Sequence, residues 1–135
     1  MLYAIHKGNI EAYTGGQHEV LHLAGNAERV ARTPGLAYCL TDGHAEIAFS
    51  EFFENLDDLN KIDWKIMHEK FWSDTVEDMD RKRRRQAEFL VHRFCPWEMI
   101  LEIAVMDART ADAAGKVIAG CRHQPNIVTE REWYY

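Results

Sequence analysis

Glycine and proline punctuate this chain at Gly15-Gly16, Pro34-Gly35, Asp42-Gly43, Pro96, Gly115, Gly120 and Pro125. Backbone breaks at that spacing forbid long helices and long continuous strands, so the fold must be assembled from short elements. No internal repeat or low-complexity linker is present. At 135 residues the chain is the size of one domain and can bury a core without disulfides or a structural metal.

The order of those elements follows from periodicity. Val20, Leu21 and Leu23 after the double glycine predict a strand, residues 26–32 a short helix, and residues 36–40 a second strand ending at Thr41-Asp42-Gly43. From His44 the apolar positions Ala45, Ala48, Phe49, Phe52, Phe53, Leu56 and Leu59 recur at three and four, which predicts an amphipathic helix N-capped by Asp42. Trp64, Met67, Phe71 and Trp72 predict a shorter helical stretch. The abrupt change from the acidic residues 73–80 to the basic residues 81–85 reads as a loop. Residues 88–94 predict a strand, and on its pleat Glu88, Leu90 and His92 share one face. A strand over 100–105, a helix over 110–119 and a last strand over 126–129 complete the pattern. Strands and helices mixed at irregular intervals predict an α+β domain with a largely antiparallel or mixed sheet.

Charge and cysteine usage narrow the chemistry. Sixteen Lys and Arg against 22 Asp and Glu leave a net charge of −6, with 47% apolar and 11% aromatic residues. Neither disorder nor a globally basic nucleic-acid coat fits, so any contact with a polyanion must be local. Cys39, Cys95 and Cys121 are odd in number, widely spaced and without a C-x-x-C, which argues against a disulfide framework and a thiolate zinc site. No stretch reaches the roughly 18 apolar residues of a membrane span, and no signal peptide opens the chain. A cytoplasmic protein with no membrane partner is the expectation.

Three patterns could carry function. His18-Glu19-x-x-His22 matches the zinc-peptidase motif, in which two imidazoles on one helix face bind the metal and the glutamate acts as base. The preceding Gly15-Gly16 and the branched Val20 point instead to an extended segment, where the two histidines stand too far apart to share an ion, so no metal is expected. Arg81, Lys82, Arg83, Arg84 and Arg85 form a run of five cations that can neutralise phosphates of a nucleic acid strand. The plain alternative is a solvated loop balancing the acidic run before it. Shortly after that run Glu88 opens an apolar strand, where a lone glutamate is by itself most often a boundary residue.

The stretches RRRQAEFLVHRFCPWE (83–98), MLYAIHKGN (1–9), TDGHAEIAF (41–49) and WYY (133–135) occur in an order that resembles the DarT family of DNA ADP-ribosyltransferase toxins, across the whole chain. The resemblance implies an ADP-ribosyltransferase-like fold and NAD as a substrate. It also implies transfer of ADP-ribose to a base, thymine most often, in single-stranded DNA, as the toxin of a toxin-antitoxin pair neutralised by a macrodomain antitoxin.

By the same resemblance Glu88 corresponds to the family's catalytic glutamate. Breaking the nicotinamide glycosidic bond develops an oxocarbenium-like ribose, which a fixed carboxylate stabilises. The family's loop ahead of that glutamate reads the acceptor, which assigns Arg81 to Arg85 to DNA binding, with His44, and with Phe71 and Trp72 for base stacking or core packing.

Family members carry a further segment ahead of the position of Met1-Leu2-Tyr3 that grips nicotinamide and ribose. The chain is therefore expected to be truncated at its N-terminus relative to the family, with its NAD-contacting residues unassigned and an open sheet edge that favours self-association. Two other readings stay open: an inactive fragment that binds single-stranded nucleic acid through the basic run, and a small zinc hydrolase using His18, His22 and Glu19.

Overall fold

The computed structural model describes residues 2–135. In chain order its helices are α1 (Leu2–His6), α2 (Ala27–Ala31), α3 (Trp64–His68), α4 (Arg81–Arg84) and α5 (Ala108–Ile118). Its strands are β1 (His22–Gly25), β2 (Tyr38–Thr41), β3 (Phe52–Phe53), β4 (Phe89–Val91), β5 (Ile100–Val105) and β6 (Asn126–Thr129). Single 3-10 turns lie at Gln17–Glu19, Leu56–Lys61, Trp97–Met99 and Arg131–Trp133. The residues group into two compact units, 1–26 with 96–135, and 27–95, each with a sheet of its own.

In the first unit the strand order is β1-β5-β6. β1 runs antiparallel to β5 and β6 runs parallel to it, the parallel pair being joined through α5 as a parallel crossover requires. The central β5 carries Glu102 in its half-buried first part, and its second part, Ile103, Ala104 and Val105, is apolar and buried without alternation, as a strand segment covered on both faces must be. α5 starts where Asp107 accepts the Thr110 N–H at 2.8 Å. It lays Ala114 and Ile118 on Ile103 and Val105, with Trp97 and Ile127 at the margin. The other face of the sheet is closed by the chain's C-terminal aromatics. The Tyr134 hydroxyl donates to the Val20 carbonyl at 2.8 Å, and the buried Gln17 amide pairs with both the N–H and the carbonyl of Tyr135.

In the second unit β3, β2 and β4 form an antiparallel sheet in that order. Leu40 stands opposite both Phe53 and Phe89. Val30, Leu40, Phe53, Ile62 and Ile66 are its buried apolar residues, and Tyr38 stacks on Phe89 with ring centroids 5.2 Å apart. α3 is capped by Asp63, whose carboxylate accepts the Ile66 N–H at 3.1 Å.

The strands over 100–105 and 126–129 match the sequence expectation, and the α+β class with mixed and antiparallel sheets holds. The amphipathic helix expected from His44 does not form. Residues 44–49 make a turn held by Ser50 and Ile47 on the His44 carbonyl. Phe52 and Phe53 pair with Thr41 and Leu40 as a strand, and the last part is a 3-10 turn. Asp42 does not cap a helix; its carboxylate accepts the Glu51 N–H at 2.8 Å and closes the loop. Phe49 is 84% exposed and Phe52 56% exposed, so the three-and-four spacing never became a buried stripe. Residues 81–84, expected as a loop, form the short helix α4 because acidic groups elsewhere in the unit neutralise it. In the H-E-x-x-H segment only His22 lies on a strand; His18 and Glu19 sit in the 3-10 turn before it.

Candidate active site around Glu88

Glu88 lies immediately ahead of β4 and is half-buried. Its backbone is stitched to the end of β2 at both polar groups. The Thr41 N–H donates to the Glu88 carbonyl at 2.9 Å, and the Glu88 N–H donates to the Thr41 hydroxyl at 3.0 Å. That hydroxyl passes its own proton to the Gly43 carbonyl at 2.6 Å. Thr41 is wholly buried, so these bonds form away from competing water.

The side chain of Glu88 is fixed as well. Its Oε2 accepts the Ala45 N–H at 2.7 Å, a charge-assisted bond from backbone and hence from a donor with little freedom. Oε1 has no hydrogen-bond partner among the described residues, leaving one anchored and one available oxygen. A cavity of about 170 Å³ lies alongside, walled by Leu40, Leu59, Ile62, Trp64, Met67 and Phe89 with Thr41 and Glu88 as its polar members. A space of that size admits one small ring and is smaller than the pockets that enclose drug-sized ligands.

The TDGHA and RRRQAE stretches interlock around this residue. Arg83 forms a fork on the Asp80 carboxylate, with Nε and Nη2 donating at 2.7 and 2.8 Å. Its Nη1 makes an ion pair with Asp42 at 2.9 Å, a charge contact rather than an aligned hydrogen bond. These carboxylates raise the Arg83 pKa even further above neutrality. In turn, hydrogen bonding from Arg83 holds the Asp80 carboxyl below the usual carboxylate range. Gly43 makes the approach possible: a Cβ there would stand 2.8 Å from the Arg83 Cγ and 3.0 Å from its backbone carbonyl. Any side chain would push the two segments apart.

The remaining cations of the run are placed unequally. Arg81 pairs with Glu69, and Arg84 with Asp63, Asp78 and Asp80. Lys82 stands 3.7 Å from Asp74. Arg85 alone among the described cations of the run has no carboxylate within ion-pair distance. His44 sits in the turn that supplies the Ala45 N–H, and its Nδ1 accepts the Glu46 N–H at 3.2 Å. Phe71 is 87% exposed and Trp72 half-buried.

Thr41 and Ala45 are the residues that sequence reasoning missed. Both lie within the recognised motif, yet nothing in their type reveals that one hydroxyl and one amide hold the glutamate.

In the first unit His18 and His22 diverge. His22 packs its ring edge-on against Trp133 and Tyr134, while His18 borders the groove between β1 and α5 with Leu23, on the other side of the strand. Among the described residues no three His, Cys, Asp or Glu side chains gather as a metal site. Among the described residues Cys39, Cys95 and Cys121 form no disulfide. No helix of the described residues is long and apolar enough to cross a membrane.

Comparison with solved structures gives the class first. Thermus sp. 2.9 DarT in complex with NAD+ superposes with a TM-score of 0.89 at 34% identity, covering 99% of this chain and 66% of that one. The same protein in complex with ADP-ribosylated single-stranded DNA gives 0.90 at 34% identity, covering 99% and 63%. The fold is that of an ADP-ribosyltransferase.

The sequence defines the family within that class. A family model described as ssDNA thymidine ADP-ribosyltransferase, DarT, matches residues 1–135. A DNA ADP-ribosyl transferase of Thermus sp. (strain 2.9) is 36% identical over 137 residues, and one of Thermus aquaticus is 35% identical over the same length. This chain belongs to the DarT family. It spans 63% and 58% of the length of those two relatives.

Proposed function

We propose that this chain carries the glutamate-bearing part of an enzyme that transfers ADP-ribose from NAD to a base, thymine first among them, in single-stranded DNA. The observation that carries the reading is the state of Glu88: backbone pinned to Thr41, one carboxylate oxygen anchored on the Ala45 N–H, the other open beside a ring-sized cavity.

That arrangement suits the chemistry. As the bond from ribose C1′ to the nicotinamide nitrogen breaks, nicotinamide leaves as a neutral ring and positive charge spreads over C1′ and the ring oxygen. A preorganised carboxylate opposes that charge without reorganising during the reaction. The free Oε1 accepts a hydrogen bond from a ribose hydroxyl, fixing the sugar as the acceptor approaches. The base nitrogen then bonds to C1′ and gives up its proton to solvent. Held by β2 and β4 rather than by a mobile loop, the carboxylate keeps its position through both events. NAD enters here as substrate. The cavity beside Glu88 takes one ring of it, so what these residues supply is the charge and the placement at the reacting sugar.

The relatives support the acceptor assignment through the described specificity of the family and the product-bound structure of the Thermus sp. protein. We assign the basic run, with His44, to the approach of the DNA strand. A toxin role in the cytoplasm, held in check by a macrodomain antitoxin, is proposed on the same family basis.

The test is a transfer assay read by mass spectrometry. It uses the chain itself and a chimera in which residues 2–135 replace the matching stretch of the Thermus sp. relative. With NAD and a thymine-containing single strand, a product heavier by one ADP-ribose is expected, and none on a strand lacking thymine. Equal modification of both strands would refute the thymine assignment. No product from either protein would refute the transferase reading.

A further inference from the structure

The five cations at 81–85 differ in what they can still bind. Arg81, Arg83 and Arg84 are committed to carboxylates from Asp42, Asp63, Glu69, Asp78 and Asp80, and these bonds fold α4 onto its surroundings. Lys82, 3.7 Å from Asp74, is loosely paired and largely exposed. Arg85 is different in kind. It is half-buried, and its Nε is shielded from water with no acceptor. Its Nη1 reaches only the Met67 sulfur, at 3.9 Å. Met67 in turn lines the cavity that Glu88 borders.

We propose that Arg85 is a phosphate-binding residue of this site, and that Arg81, Arg83 and Arg84 are structural. The inference rests on the transferase reading above and assigns one residue the contact that reading gave to the whole run. A guanidinium with one nitrogen shielded from water and no counter-charge keeps part of its desolvation cost uncompensated, and an anion beside it relieves that cost. A planar guanidinium matches two oxygens of a phosphate, and that of Arg85 lies against Met67, a wall of the cavity that Glu88 borders. The phosphate comes either from the backbone of the DNA strand or from the pyrophosphate of NAD.

Two titrations separate the sources. Single-stranded oligonucleotide without NAD, and NAD without DNA, are each titrated into the unaltered chain, Arg85→Gln, Arg85→Lys and Lys116→Gln. The last removes one exposed positive charge from α5 and controls for net charge. Arg85→Gln is expected to weaken one of the two ligands about tenfold at low salt. Where that ligand is DNA, the slope of log affinity against log salt should flatten by about 0.7, the value of one phosphate contact on a single strand.

Arg85→Lys should keep the slope and lose part of the affinity, because charge survives and the fork does not. This second variant decides the matter should Arg85→Gln fold poorly. Lys116→Gln should match the unaltered chain. A loss confined to oligonucleotide assigns the backbone phosphate, and a loss confined to NAD assigns the pyrophosphate. Unchanged binding of both ligands by Arg85→Gln and Arg85→Lys, while the unaltered chain binds, overturns the inference alone. Failure of the unaltered chain to bind either ligand overturns it together with the transferase reading.

Discussion

Replacing Thr41 by valine removes one oxygen and leaves the side chain's shape almost intact. The hydroxyl it deletes accepts from the Glu88 N–H at 3.0 Å and donates to the Gly43 carbonyl at 2.6 Å, at a residue with no exposed surface. Valine satisfies neither partner. A hydrogen bond contributes about 1 kcal/mol net, and a buried group left unpaired costs about 1–3 kcal/mol. The loss should therefore be about 2–4 kcal/mol, a large share of the roughly 5–15 kcal/mol that holds a typical domain together. With a urea dependence of about 2 kcal/mol per M, the unfolding midpoint should fall by about 1–2 M at unchanged slope.

Thr41→Ser is the control. It keeps the hydroxyl and forfeits one buried methyl, worth about 1 kcal/mol. In the transfer assay the valine variant should be slower than the serine variant under conditions where both are folded, because the Glu88 backbone then keeps only its bond from the Thr41 N–H. Equal urea midpoints for the two variants would mean that the hydroxyl holds nothing.

Three further outcomes follow from the same geometry. Gly43→Ala places a Cβ within 3.0 Å of the Arg83 backbone, and the resulting shift should destabilise the chain by about 1–3 kcal/mol in urea titration. The Asp80 carboxyl is held below its usual range by Arg83, so its contribution is present above the unfolded-state value near 4 and is lost as pH falls further; Asp80→Asn should flatten the melting curve's dependence on pH in that acid range. Burial lowers the His22 pKa, so the unfolded chain takes up a proton before the folded one and stability should fall as pH drops below about 6.5. His22→Phe, which keeps an aromatic ring against Trp133 and Tyr134, should remove that slope between about pH 5 and 7.

The sequence made some of this legible and hid the rest for physical reasons. The strands at 100–105 and 126–129 could be read because they are short apolar or branched runs bounded by turn residues, with one partner on each side of β5. The segment from His44 to Leu59 misled because aromatic residues at three-and-four spacing imitate a buried helical stripe. Phe49 and Phe52 instead remain in solvent, and the Asp42 carboxylate is drawn to Glu51 and Arg83.

The abrupt change from acidic to basic residues at 80–81 reads as a loop, and adjacent like charges disfavour an isolated helix. Asp74, Asp78 and Asp80 in the acidic run just ahead of the cations supply part of the compensation, while Asp42, Asp63 and Glu69 are remote in the chain, where no local window contains them. Glu88 is a candidate through its motif. Its grip by Thr41 and Ala45 is hidden, because a backbone N–H leaves no mark in composition.

The measurement closest to the central claim compares Glu88 with Glu88→Gln in the chimera that joins residues 2–135 to the Thermus sp. relative. The rate of ADP-ribosyl transfer to thymine-containing single strands is followed by mass spectrometry. The amide preserves shape and can still accept a hydrogen bond, but it lacks the negative charge that opposes the developing cation. Loss of electrostatic stabilisation of this kind slows reactions on the order of a hundredfold or more. At least that loss is expected, with an unchanged urea midpoint. A Glu88→Gln protein that transfers ADP-ribose as fast as its parent would contradict the catalytic role of Glu88.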